Sequence, residues 1–201
     1  MTKAEFVVRL QNACAAVIGA EQELSDIDAR FGDADHGLTM SKIAGAISGA
    51  VSASEGGIQS MLDDAAMAVM ELNGGSAVPL WNTWLDGMQE NAPDGNEIDV
   101  EGLKAVFAGA LEALEDISGA KVGDKTMMDA LIPATEAVED YEGGDEAGQF
   151  AAAAAAAEAG AENSKNFVSK FGRAKSYGEQ TIGTPDAGAV SMSYFFRGLA
   201  E

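Results

Sequence analysis

Cationic side chains are scarce in this chain: 12 Lys and Arg stand against 33 Asp and Glu, a formal net charge of −21 over 201 residues. Such a surface repels phosphate backbones and anionic headgroups, which argues against direct nucleic-acid and membrane partners. The acidity suits either a high-salt setting or plain solubility, and composition does not separate the two. Cysteine occurs once, as Cys14 in an apolar helical pattern, so no internal disulfide can form and a buried thiol in a reducing compartment is expected. Histidine also occurs once, as His36, so a Ser–His or Cys–His catalytic pair would have to begin there, and none is expected. No apolar run reaches the ~18 residues of a membrane span. The N-terminal MTKAEFVVRLQNACAAVIGA is interrupted by Arg9, Gln11 and Asn12 and has helical spacing, unlike a secretory leader. A soluble, cytoplasmic protein is expected.

Strand-like alternation is missing as well. Apolar residues recur with helical period in Phe6, Leu10, Cys14 and Val17, in Met40, Ile43, Ile47 and Val51, and in Met61, Ala65, Val69 and Leu72. Leu103, Val106, Phe107, Leu111 and Leu114 repeat it, as do Val190 to Leu199 and Phe150 to Phe171, the latter carrying the helix-forming run Ala151 to Ala157. Glycine, asparagine and proline clusters separate these segments. The pattern predicts an all-α fold of seven to nine helices. One domain of this length buries roughly 70% of its unfolded surface, and no linker is long enough to divide it, so a single domain over residues 1–201 is expected.

Three short motifs mimic known chemistry without its context. GAKVGDKT (Gly119 to Thr126) looks like a phosphate-binding P-loop, but only three residues separate its glycines, Asp124 intrudes before Lys125, and no strand precedes it. It reads better as a loop leading into a helix, with free N–H groups that can meet a nucleotide. GGDEA (Gly143 to Ala147) matches a cyclase signature that belongs to an α/β domain, and a helix break followed by acidic first-turn residues explains it. DGNEID (Asp94 to Asp99) lacks the glycine and spacing of an EF-hand and is expected to form a turn and a helix N-terminus.

The most informative stretch is FGDADHGLTM, Phe31 to Met40, with Asp28 upstream. Asp28, Asp33 and Asp35 form a D-x4-D-x-D array. Unneutralised, each close pair repels by about 4 kcal/mol at ~4 Å and an effective dielectric of ~20, so a cation is expected among them. Carboxylates without thiolates or clustered imidazoles are hard ligands that favour magnesium or calcium. Asp28 is expected near the end of a helix starting around Glu21. Asp33 and Asp35, two apart on extended backbone, would point to one side and converge with it. Gly32 and Gly37 are expected to allow a sharp turn and a close approach to a ligand. An acidic surface loop is the plainer alternative.

Three further glycine-punctuated segments, NGGSAVP (Asn73 to Pro79), GAKVGDKTM (Gly119 to Met127) and GRAKSYGEQTIGTPDAGA (Gly172 to Ala189), fall between helices. With GDADHG they resemble, in order and spacing from about Asp28 to the C-terminus, the DhaL family, the nucleotide-binding L subunits of dihydroxyacetone kinase. The resemblance implies eight antiparallel helices in a barrel-like bundle, with ADP or ATP held by loops at one end. It implies that Asp28, Asp33 and Asp35 hold two magnesium ions bridging the nucleotide phosphates. His36, Gly37, Leu38 and Thr39 match nucleotide-contacting positions, as do Ser76 and Ala77, then Gly119 and Met127 around the base and ribose. Arg173 matches an arginine approaching the phosphates, and Asp186, Ala187 and Gly188 match a nucleotide-side Asp-Pro-Gly segment. The chain departs from the family at Ala77 and Val78, where a second hydroxyl and a glycine are usual, and at Ala187, where proline is usual.

The resemblance further implies phosphoryl transfer to dihydroxyacetone held covalently by a histidine on a separate, DhaK-like substrate-binding subunit. A DhaM-like donor would rephosphorylate the bound ADP in a phosphotransferase system. An ATP-dependent kinase for another ketose, and an ADP-bound sensor docking on a transcription regulator, are the alternatives.

Overall fold

The structure, a computed structural model, describes residues 1–201. It contains nine α-helices and no sheet: α1 (Lys3–Gly19), α2 (Glu21–Asp28), α3 (His36–Ala53), α4 (Ile58–Met70), α5 (Ala77–Glu90), α6 (Val100–Ser118), α7 (Met128–Glu139), α8 (Glu146–Asn163) and α9 (Ala187–Ala200). Acidic and hydroxyl side chains start several of them. Thr2 and Glu5 form a capping box at α1, and Asp99, Asp145 and Asp186 accept backbone N–H bonds at the starts of α6, α8 and α9. DGNEID and GGDEA are therefore helix-starting segments, as their chemistry predicts. At α6 the helix stops at Gly119, whose φ of 60° is the left-handed conformation that glycine adopts without strain.

Eight helices close into a ring. α1 packs on α3, α3 on α4, α4 on α5, α5 on α6, α6 on α7, α7 on α8, α8 on α9, and α9 back on α1, while the short α2 bridges α3 and α9. Loops of 4 to 9 residues join successive helices from α3 to α8, while α1 reaches α3 through α2 and α8 reaches α9 through residues 164–186, and ring neighbours run antiparallel. One continuous apolar cluster fills the barrel, with Trp84, Phe107, Phe150, Phe195 and Phe196 fully buried. The Trp81–Trp84 and Trp84–Phe195 rings meet edge-to-face at 5.4 and 5.5 Å, the arrangement their quadrupoles favour. Glycines close the seams: a side chain at Gly160 would strike the Asp129 carbonyl of α7, and one at Gly198 would strike Ala13 of α1. The Asp129 carbonyl lacks its usual intrahelical partner because Pro133 has no N–H. Cys14 is buried, and burial pushes its thiol up to about 12.

The helix expected over Phe150 to Phe171 ends at Asn163. Beyond it a 3-10 turn (Ser164–Asn166) leads into backbone that folds back, with Lys170 N donating to Asp124 O and Ser169 N to Thr181 Oγ1. These bonds replace the helical ladder that the apolar spacing suggested. A second 3-10 segment, Arg173–Thr181, follows. No helix is long and apolar enough to cross a membrane.

Candidate functional site

Because ring neighbours run antiparallel, α3, α5, α7 and α9 all begin at one end of the barrel. Their first residues, His36, Ala77, Met128 and Ala187, line one cavity of about 600 Å³. Four helix N-termini turn their positive dipole ends toward it, a setting for an anion, although Asp186 and Thr126 already accept N–H bonds at the starts of α9 and α7. The end of α2, the end of α6 and residues 169 and 171–174 complete the wall. Of the residues singled out from sequence, Asp28, Asp33, Asp35, His36, Thr39, Ser76, Ala77, Met127, Arg173, Asp186, Ala187 and Gly188 line this cavity. Gly37, Leu38 and Gly119 do not. Leu38 points out to solvent, Gly119 caps α6 between the lining residues Ser118 and Ala120, and Gly37 lies against α2.

Asp28, Asp33 and Asp35 come together. One carboxylate oxygen from each lies within 4.8 Å of the others. The convergence arises differently from the expected extended backbone: Ala34 between them adopts a left-handed φ of 62°, and Asp35 is helical at φ −97°, ψ −9°. A left-handed residue with a Cβ costs roughly 1–2 kcal/mol, so the turn is held against a local penalty. Neither Gly32 nor Gly37 has a positive φ. Their role is space, since a side chain at Gly32 would occupy the Asp28 carboxylate, and one at Gly37 would strike the Glu21 carbonyl and hold α2 off α3.

The acids are also poorly served by the protein itself. Asp28 Oδ2 is buried without a hydrogen-bond partner, and Asp35 occupies the N-cap of α3 yet makes no capping bond. Asp33 pairs with Arg173 Nη1, and the guanidinium holds its carboxyl below the ordinary range. An orphaned buried oxygen beside two exposed carboxylates is the donor set of a hard divalent cation, so the residues fit magnesium.

His36 Nε2 lies 2.6 Å from Ser191 Oγ, so the single histidine does meet a serine. Ser191 is fully buried and donates its hydroxyl proton to Ala187 O at 2.7 Å, which makes it an acceptor for an Nε2–H and leaves no exposed nucleophile. The contact ties α3 to α9, and burial lowers the imidazole pKa despite the raising influence of Asp28 and Asp35.

Away from the acids, a second wall joins Met127 and Asp186, which the sequence already pointed to, with Asp129 and Lys125, to which it gave no site role. Asp129, 1% exposed, accepts Gly123 N and Thr126 N, each at 2.6 Å, and so fixes the GDKT loop. Lys125, 4% exposed and left-handed at φ 61°, donates through Nζ to Ser164 O at 2.7 Å and Thr184 O at 2.5 Å. Asp186 accepts Ala189 N at 2.8 Å, and its own N–H donates to Ser164 Oγ at 2.9 Å. Its carboxyl is half-buried on the cavity wall, and its desolvation pushes it up to about 7. Met127 and Phe171 add apolar surface suited to a planar ring. An acidic residue in the first turn of α7, two places beyond Met127, was the available signal for Asp129.

A sequence profile described as the DAK2 domain matches residues 30–201. The D-erythrulose kinase of Mycolicibacterium smegmatis is 38% identical over 98% of this chain and 35% of its own length. The ADP-binding subunit DhaL of a PEP-dependent dihydroxyacetone kinase from Listeria innocua is 30% identical over 90% of this chain and 87% of its own. Among solved structures, the dihydroxyacetone kinase of C. freundii in complex with AMP-PNP and Mg2+ superimposes with a TM-score of 0.73 at 24% identity, covering 98% of this chain and 33% of that one. The chain thus spans about a third of the length of the first curated relatives it matches. Profile, relatives and barrel agree with the four-motif resemblance, and the chain belongs to the DAK2 domain family, of the type found in DhaL subunits.

Proposed function

We propose that this chain is the nucleotide-binding part of a kinase that phosphorylates dihydroxyacetone. The observation that carries the reading is the unpartnered, buried Asp28 Oδ2 within 4.8 Å of the Asp33 and Asp35 oxygens, in a cavity ringed by four helix N-termini. Asp28, Asp33 and Asp35 would hold two magnesium ions, which supply neutralisation of phosphate charge when bound. Arg173, exposed at the mouth, can turn its planar fork from Asp33 to two phosphate oxygens. Thr39 and Ser76 add hydroxyl donors, while Met127 and Phe171 offer the base an apolar bed. Phosphoryl transfer asks mainly for position and charge stabilisation, so no protein nucleophile is needed on this chain. The acceptor hydroxyl would form the new P–O bond as the bond between the γ-phosphorus and the ADP bridging oxygen breaks, the hydroxyl proton passing to water or to the partner and ADP remaining as the leaving group.

The ketone would be presented by a DhaK-like partner, with bound ADP recharged by a DhaM-like phosphoryl donor. A second reading, an ATP-dependent kinase for a four-carbon ketose, is supported by the D-erythrulose kinase relative at 38% identity. Calorimetric titration of metal-free protein with ADP, with and without magnesium, tests the site. Magnesium-dependent binding in the wild type and at least about tenfold weaker binding in Asp35→Asn are expected. Equal affinities would remove Asp35 from the metal site. Assays pairing the chain with a substrate-binding partner, offering dihydroxyacetone or erythrulose and either ATP or a phosphotransferase donor, separate the two readings.

A further inference from the structure

We propose that Lys125 is a nucleotide-binding residue: its buried ammonium sets the spacing of the second cavity wall and offers its remaining N–H to an oxygen of the bound nucleotide. The inference rests on the nucleotide-binding reading of the cavity.

Lys125 and Arg173 are the only cationic residues on the cavity wall, against Asp28, Asp33, Asp35 and Asp186. Arg173 is exposed and answers to the acid cluster. Lys125 is 4% exposed and stands near Asp186 and Asp129, with no carboxylate in direct ion-pair contact. An ammonium carries three donors. Two are spent on the Ser164 and Thr184 carbonyls, and the third has no protein acceptor. A buried donor without an acceptor is unfavourable unless a ligand supplies one. On the cavity wall, the missing acceptor is an anionic or hydroxyl oxygen, which a ribose or a phosphate provides.

The two bonds that are made also shape the site. They join the GDKT loop to the end of α8 and to the Thr184–Pro185–Asp186 approach to α9. The residues next to both junctions, Thr126 and Met127 on one side and Asp186 and Ala187 on the other, line the cavity. The walls already touch, since a side chain at Gly188 would lie 3.2 Å from Met127 N. Lys125 also offsets the Asp186 carboxyl, which would otherwise face an anionic ligand uncompensated. A left-handed, desolvated lysine is a costly way to bridge two loops, whereas a ligand oxygen completing its third bond accounts for the cation.

The test uses ADP at saturating magnesium with the intact chain, comparing wild type, Lys125→Met and Lys125→Arg. Lys125→Met should bind ADP at least about tenfold more weakly, with helical circular dichroism and magnesium affinity at the acid cluster unchanged, and Lys125→Arg should recover part of the loss. Lys125→Met binding ADP like wild type overturns the proposal. A wild type that fails to bind ADP overturns instead the nucleotide reading on which it stands. Should Lys125→Met fail to fold, lysine-methylene NMR of the wild-type protein decides: the buried Lys125 resonance should move on adding ADP, and a resonance that stays put sinks the idea.

Discussion

The two walls of the cavity are built on opposite terms. On the second wall polar groups are satisfied by the protein with the exception of the third Lys125 donor: both Asp129 oxygens accept backbone N–H bonds, Asp186 caps α9, and Thr181 and Ser164 bond on both sides of their hydroxyls. On the acid wall Asp28 keeps an orphan oxygen, Asp35 forgoes the capping bond that Asp99, Asp145 and Asp186 all make, and Ala34 carries a left-handed backbone. A satisfied wall holds shape whether or not anything is bound. An unsatisfied one leaves partners for a ligand to supply. The same residue type, aspartate at a helix start, serves either end, and what it is bonded to separates the roles.

Breaking the satisfied wall should have the largest effect on stability. Asp129→Ala leaves Gly123 and Thr126 N–H groups without their charged acceptor, and hydrogen bonds to charged groups contribute about 1.5–3 kcal/mol each. Denaturant unfolding should show a loss of about 3–5 kcal/mol, and a loss under about 1 kcal/mol would mean that Asp129 does not hold the loop.

The Asp186 carboxyl sharpens the contrast through pH. Its folded value of about 7 lies above the ordinary value of 3.8. Between those values the native state binds more proton than the unfolded chain, so this group's contribution to stability falls as pH rises toward 7 and stays low above it. Asp129 raises the value further and Lys125 lowers it. Asp186→Asn keeps a good N-cap and removes the titration. Relative to wild type, the variant should gain about 2–3 kcal/mol between pH 5 and pH 8. A stability difference that is flat with pH would show that the carboxyl is already ionised in the folded protein.

On the acid wall the sign reverses. Asp28→Asn should weaken magnesium-dependent ADP binding at least about tenfold, near 1.4 kcal/mol, while the metal-free protein melts no lower than wild type because carboxylate repulsion is relieved. A lower melting temperature in the metal-free state would place Asp28 among the residues that hold shape.

Local signals were readable before the fold. Helical apolar spacing and the D-x4-D-x-D array depend on neighbours along the chain, and the ring helices and the acid cluster follow them. The expected Phe150–Phe171 helix failed because its later backbone bonds to Asp124 and Thr181, and the extended reach from Asp33 to Asp35 failed at Ala34, whose left-handed backbone no spacing rule signals. The Lys125 bridges to Ser164 and Thr184 span 39 and 59 residues, and the His36–Ser191 contact spans 155. No spacing rule reaches that far. Gly37 was legible as a glycine, but its reason, the passage of α2 over α3, belongs to packing.

Ala34 offers the smallest and most discriminating test of the acid wall. Its left-handed backbone places Asp33 and Asp35 on one point with Asp28, and glycine adopts that conformation without the Cβ clash. Ala34→Gly removes a penalty of roughly 1–2 kcal/mol but adds about 0.5–1 kcal/mol of unfolded-state entropy, so the net gain in metal-free stability should be about 0.5–1 kcal/mol. Magnesium-dependent ADP affinity should stay the same or fall slightly, because a looser turn holds the carboxylates less firmly in place. Ala34→Gly that destabilises the protein by more than 1 kcal/mol would mean that residue 34 relaxes to an ordinary conformation in solution, and the geometry of the acid wall would then have to come from the ligand.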